Sequence, residues 1–142
     1  TPGQFIDLHG LQQILWPVHC VEGSSGAQFV DGLETSGIDC VFQKGTNPEV
    51  DSYSAFYDNG RRQSTGMAEW LREEGVDTVY VMGLATDYCV KFTALDAASE
   101  GFKTLLIADG CRGVNLSAGD SEAAIEEMAA AGITIVHSSE IP

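Results

Sequence analysis

The feature that most narrows the folds open to this chain is an alternation of short apolar runs with helical periodicity, each unit closed by a glycine. Residues 38–43, 77–83, 103–108 and 133–136 read as strands, rich in Val, Ile, Leu and Phe. Between them apolar residues recur at helical spacing. One set starts at Ser64 or Thr65 and runs through Met67, Trp70 and Leu71 to Gly75. A second runs over 87–100 with Cys89, Val90, Thr93, Ala94 and Ala97 and stops at Gly101. A third opens at Asp120-Ser121 and carries Ala124, Ile125 and Met128 to Gly132. Strands alternating with helices imply right-handed crossovers. The expected fold is α/β, three layers in α-β-α order, with a mainly parallel sheet covered on both faces. Ligands of such sheets bind at the carboxyl ends of the strands. Lys44, Cys89 and Asp109 each follow one of the first three runs, so the topology alone brings a lysine and a cysteine to one crevice.

The remainder is less regular. Residues 1 to about 25 read as loop, a long irregular opening of the kind that usually serves function, with a short helical piece at 28–34 closed by Gly37. The length suits one domain, 1–142. Seven basic against 21 acidic side chains give 7 − 21 = −14, which argues against nucleic-acid or anionic-membrane partners and leaves a divalent cation open. No run approaches a membrane span, and Thr1-Pro2-Gly3 is no signal peptide. The missing initiator Met suggests that translation began upstream. Cys20, Cys40, Cys89 and Cys111 form no C-x-x-C pair and read as reduced thiols of a cytoplasmic protein.

Chemistry concentrates where the second strand run meets its helix. After Gly83 comes a short polar turn, with Thr86 or Asp87 placed to cap the helix and Cys89 in its first turn. The helix dipole and unpaired N–H groups there favour a thiolate. With the ammonium of Lys44 nearby, Cys89 becomes an activated nucleophile, and the same N–H groups become an oxyanion hole for acyl transfer. The plainer alternatives are a small buried cysteine packing helix on sheet and a solvated lysine at a strand end. No histidine adjoins to take the thiol proton; His9, His19 and His137 are remote in sequence.

Several motifs in order bear on that choice: Trp16-Pro17-Val18-His19-Cys20-Val21, Lys44-Gly45 with Asp51-Ser52-Tyr53-Ser54-Ala55-Phe56, Asp58-Asn59-Gly60, Gly83-Leu84-Ala85-Thr86-Asp87-Tyr88-Cys89-Val90 and Asp109-Gly110-Cys111. Together they resemble the bacterial nicotinamidases, also active on pyrazinamide, among the isochorismatase-like cysteine hydrolases. The resemblance implies hydrolysis of nicotinamide to nicotinate and ammonia in NAD salvage. It makes Cys89 the nucleophile that forms a thioester and Lys44 the catalytic lysine. Ala85 and Cys89 would supply the oxyanion-hole N–H groups, with a cis peptide between Leu84 and Ala85. Trp16 and Tyr53 would line the pyridine pocket, and His19 would be one ligand of a catalytic Zn²⁺, Mn²⁺ or Fe²⁺.

The family also begins with a strand ending in an aspartate base, then an Asp and a His metal ligand. Those roughly 60 to 70 residues have no counterpart before Thr1, and losing that strand would expose a long apolar sheet edge. The sequence therefore reads as the C-terminal two-thirds of such an enzyme, with the N-terminal portion as a partner, on a separate chain or otherwise. Alone it is expected to be inactive and poorly soluble; a homo-oligomer is compatible with the resemblance. Asp7-Leu8-His9 mimics the D-x-H metal pair but stands only 12 residues before His19, the wrong spacing, so a solvated loop is the better reading. His137 reads as structural, and Met67 and Trp70 as core. The alternatives are another small-molecule hydrolase of the superfamily or a non-catalytic scaffold or partner subunit. The retained Trp16 and His19 speak against the first, and intact Lys44 and Cys89 against the second.

Overall fold

The computed structural model describes residues 1–141. The chain divides into two compact units, 1–41 and 42 onward.

The first unit holds a hairpin, β1 (Phe5–Leu8) and β2 (Leu11–Ile14), paired antiparallel from Phe5↔Ile14 to Leu8↔Leu11. His9 and Gly10 form its two-residue turn, both with positive φ (52° and 82°), the backbone that matches the twist of the flanking strands. The Asp7 carboxylate accepts the Gly10 N–H at 3.1 Å. The Asp-x-His pair is thus turn chemistry. The loop expected here is corrected, because four-residue strands are too short for their alternation to be legible. The helix expected at 28–34 is replaced by one 3₁₀ turn, Ser25–Ala27. Phe29, Val30 and Leu33 stand at least half exposed, and so short a helix without an apolar face to bury cannot offset its nucleation cost.

Residues 38–43 join no sheet ladder among the described residues, which corrects the first expected strand. Ile38 and Val41 are exposed, and an extended segment becomes a strand only where a neighbour takes up its N–H and C=O groups.

The second unit carries the alternating pattern. Its elements are α1 (Met67–Glu73), β3 (Thr78–Leu84), α2 (Lys91–Ser99), β4 (Lys103–Arg112), α3 (Asp120–Ala130) and β5 (Thr134–Val136). The strands pair in parallel in the order β3-β4-β5. The Ser64 and Thr65 hydroxyls accept the N–H groups of Gly66 and Met67, opening α1 where expected. Val81 faces a core of Val90, Ala94, Leu106, Cys111, Met128 and Ile133, to which α2 and α3 contribute. Val79, on the same face of β3, meets Phe56, Ala68, Ala97 and Phe102 with Met67 and Leu71 of α1. Trp70 packs edge-on against Phe42, 5.6 Å between ring centroids. The opposite face of β3 presents Tyr80, Met82 and Leu84 at 45%, 64% and 73% exposure, so the expectation that both faces are covered fails along this strand.

Between β3 and β4 the register slips. Val81 pairs with Leu106 but Gly83 with Cys111, which places extra residues of β4 opposite one step of β3 and bends the strand ends where the site lies. The Asp109 carboxylate accepts both the N–H and the hydroxyl of Ser138 and lies 3.4 Å from the His137 ring nitrogen. The Ser138 hydroxyl and amide hold its carboxyl below the usual carboxylate range. Asp109 and His137 therefore fasten the end of β5, as the structural reading of His137 expects.

Candidate active site

β3 ends in Gly83-Leu84, and the Leu84–Ala85 peptide is cis, in line with the resemblance. The chain then enters a π-helical turn, Thr86–Val90, instead of going straight into an α-helix. The N–H groups of Tyr88 and Val90 both return to the Ala85 carbonyl, at 3.1 and 3.0 Å. Cys89 lies between them, half-buried, and α2 begins two residues on. One-turn π segments recur at functional sites because the extra residue widens the turn. Neither Thr86 nor Asp87 caps the helix with its side chain, which corrects that expectation. Asp87 is buried (6% exposed) and its carboxylate accepts the backbone N–H groups of Val114 (2.9 Å) and Asn115 (2.7 Å).

Lys44 does not leave a sheet strand, as the sequence reading had it; residues 38–43 form no strand here. Its Nζ donates to the Ser52 carbonyl at 2.8 Å. The segment from Ser52 to Phe56 then crosses to the start of α2. The Tyr53 ring meets Tyr88 and Phe92 at centroid distances of 5.4 and 5.5 Å, and the Ala55 N–H donates to the Thr93 hydroxyl at 2.9 Å. A strap of five residues thus ties the lysine's anchor to the helical turn on either side of Cys89. Asp58 fixes the far end of the strap: its carboxylate accepts the N–H groups of Gly60, Arg62 and Gln63, each at 2.9 Å. A polar cavity of about 170 Å³ opens behind Lys44, lined also by Ser52, Asp58, Gln63 and Thr65.

Cys89, Ala85, Lys44 and Tyr53 all belong to the second unit; Trp16 and His19 belong to the first. His19 Nδ1 lies 2.6 Å from the Pro17 carbonyl, a backbone contact of the kind that orients the ring through one nitrogen. The remaining cysteines differ in kind. Cys20 and Cys40 are exposed. Cys111 is buried, its thiol donates to the Ile107 carbonyl, and burial pushes that thiol up.

The sequence reading missed the anchoring by Asp87 and the peg at Thr93. The Asp58 knot was legible only as the Asp58-Asn59-Gly60 turn. Both missed contacts join residues 27 to 38 positions apart, beyond any local pattern.

The Isochorismatase domain profile matches residues 7–140. The chain belongs to the isochorismatase family. It is 58% identical over 135 residues to a nicotinamidase of Escherichia coli, covering 95% of this chain and 62% of that protein. Among solved structures, a nicotinamidase/pyrazinamidase of Acinetobacter baumanii superposes with a TM-score of 0.93 at 41% identity, covering 99% of this chain and 67% of that one. A pyrazinamidase of Pyrococcus horikoshii in complex with zinc superposes with a TM-score of 0.73, also at 41% identity, covering 87% and 63%. The chain spans under two thirds of the length of the E. coli relative. Its fold is the α/β layered arrangement of the isochorismatase family, built on a parallel sheet.

A catalytic metal in such a site requires about three protein ligands with one position open. His19 can offer one, and among the described residues no three His, Cys, Asp or Glu side chains gather as a metal site. The donors among the described residues do not complete a metal centre.

Proposed function

We propose that the protein acts as a nicotinamidase, hydrolysing nicotinamide, and pyrazinamide with it, to the acid and ammonia in NAD salvage. The observation that carries this is the cysteine turn: Cys89 sits in a π-turn just past β3, with the strap that anchors Lys44 packed on both sides of it. The identity to nicotinamidases supports the substrate.

In this reading Cys89 Sγ attacks the carboxamide carbon, and the negative charge on oxygen meets the backbone N–H groups of Ala85 and Cys89. The C–N bond breaks and ammonia leaves with the thiol proton. Water then cleaves the thioester, releasing nicotinate and restoring the thiol. Lys44, held by the Ser52 carbonyl, is the lysine that the resemblance assigns to the nucleophile. Tyr53 holds the pyridine ring. The proton shuttle has no counterpart in residues 1–142 by family resemblance, and the same holds for the partners of His19 at a Zn²⁺, Mn²⁺ or Fe²⁺. The zinc-bound pyrazinamidase supports a divalent metal in the family. We further infer one isochorismatase-like domain over 1–142, cytoplasmic, that works with the N-terminal portion of the enzyme.

The test compares thiol alkylation with ammonia release. Near neutral pH, Cys89 reacts with iodoacetamide faster than Cys20, Cys40 or Cys111, and nicotinamide slows it. Ammonia release, measured with the N-terminal portion present, vanishes in Cys89→Ala. Equal reactivity of the thiols, or ammonia release that survives the substitution, refutes the reading.

A further inference from the structure

The geometry points to Asp87 as a positioning residue that locks the nucleophile's turn to the loop leaving β4; the inference rests on the reading of Cys89 as nucleophile. Asp87 sits two residues before Cys89, inside the π-turn, and is 6% exposed. Its two carboxylate oxygens are each used, one by the Val114 N–H at 2.9 Å and one by the Asn115 N–H at 2.7 Å. Such charge-assisted bonds from backbone donors are among the stronger ones a protein makes. Asn115 continues the connection. It adopts a left-handed backbone (φ 51°), and its side-chain oxygen accepts the Ser121 N–H at 2.9 Å, in the first turn of α3. Gly113, one residue before the anchored pair, packs so tightly on Ser121 that a Cβ there would lie 1.8 Å from its hydroxyl. The turn bearing Cys89 is therefore held by α2 on its carboxyl side and, through Asp87, by the 113–121 loop and α3.

Only a carboxylate suits this place. It accepts at both oxygens, whereas an asparagine accepts at one and turns an NH₂ donor toward the other N–H. A nucleophile released by an ångström or so loses rate more than binding, since the strap that carries Tyr53 is also held outside the π-turn, by the Thr93 hydroxyl and by Phe92.

The experiment uses Asp87→Asn and Asp87→Glu in the enzyme with its N-terminal portion present. With nicotinamide, Asp87→Asn lowers kcat by about 100-fold while KM stays within about threefold. Amide exchange at Val114 and Asn115 quickens by about 10-fold, while Leu105 and Leu106 in β4 keep their protection. Asp87→Glu retains two acceptor oxygens one methylene farther out and loses only about 10-fold in kcat. A kcat within about twofold of the parent in Asp87→Asn overturns the assignment, as does equal loss in both variants. Unaltered exchange at 114 and 115 overturns it too, with or without activity. A parent that releases no ammonia refutes the nicotinamidase reading instead and leaves exchange to decide on Asp87. Where Asp87→Asn does not fold, Asp87→Glu decides alone: a lower kcat at constant KM supports the role, and an unchanged kcat refutes it.

Discussion

Thr93 is a peg whose removal tests the link between strap and helix. Its hydroxyl is the acceptor for the Ala55 N–H at 2.9 Å, and Ala55 lies in the strap that carries Ser52 and Tyr53. Thr93→Val keeps the side-chain shape and deletes the acceptor. The half-buried Ala55 N–H is then left without its partner, which costs about 1–2 kcal/mol, toward the lower end for an orphaned donor. Thr93→Ser does the reverse: it keeps the hydroxyl and deletes one methyl, at most about 0.8 kcal/mol. Urea unfolding separates the two, since the midpoint of the valine variant should fall further at an unchanged slope. The valine variant should also lose kcat/KM on nicotinamide, because the strap sets both Tyr53 and the carbonyl that holds Lys44. A valine variant as stable as the serine variant, or more so, would refute the reasoning, since packing and not the hydrogen bond would then hold the strap.

Two further outcomes concern stability. Gly113→Ala places a Cβ 1.8 Å from the Ser121 hydroxyl and lowers stability by about 1–3 kcal/mol through overpacking; adding Ser121→Gly should recover much of this in thermal unfolding. Glu100 accepts from the Tyr57 hydroxyl at 2.6 Å and pairs with Arg72 at 2.7 Å. The Tyr57 hydrogen bond, and then that from Arg72, hold its carboxyl below the ordinary glutamate value of 4.5. With the folded value depressed, this contribution is complete above the unfolded value and fades as pH falls through the folded one. Glu100→Gln should therefore destabilise at neutral pH and flatten the loss of stability below about pH 4.5, followed by unfolding at stepped pH.

By itself the sequence determined the parallel β-α core and the place of Cys89 in it. The run at 78–84 turns Val79 and Val81 inward onto its own helices, and the run at 103–112 is buried without a break from Thr104 to Ile107, so both signals survive in the local sequence. Cys89 is legible for the same reason: it stands where a strand run changes to helical spacing. The cis peptide at Leu84–Ala85 was legible only through resemblance to other chains. Tertiary structure alone decided the rest. Residues 38–43 carry a strand's composition but have no ladder neighbour here, and a strand exists only in its pairing. The hairpin at 5–14 is too short to show its period. Asp87 reads locally as a helix cap, yet its oxygens go to amides 27 and 28 residues away; two distant N–H groups outcompete a local one once folding has brought them within reach of a buried charge.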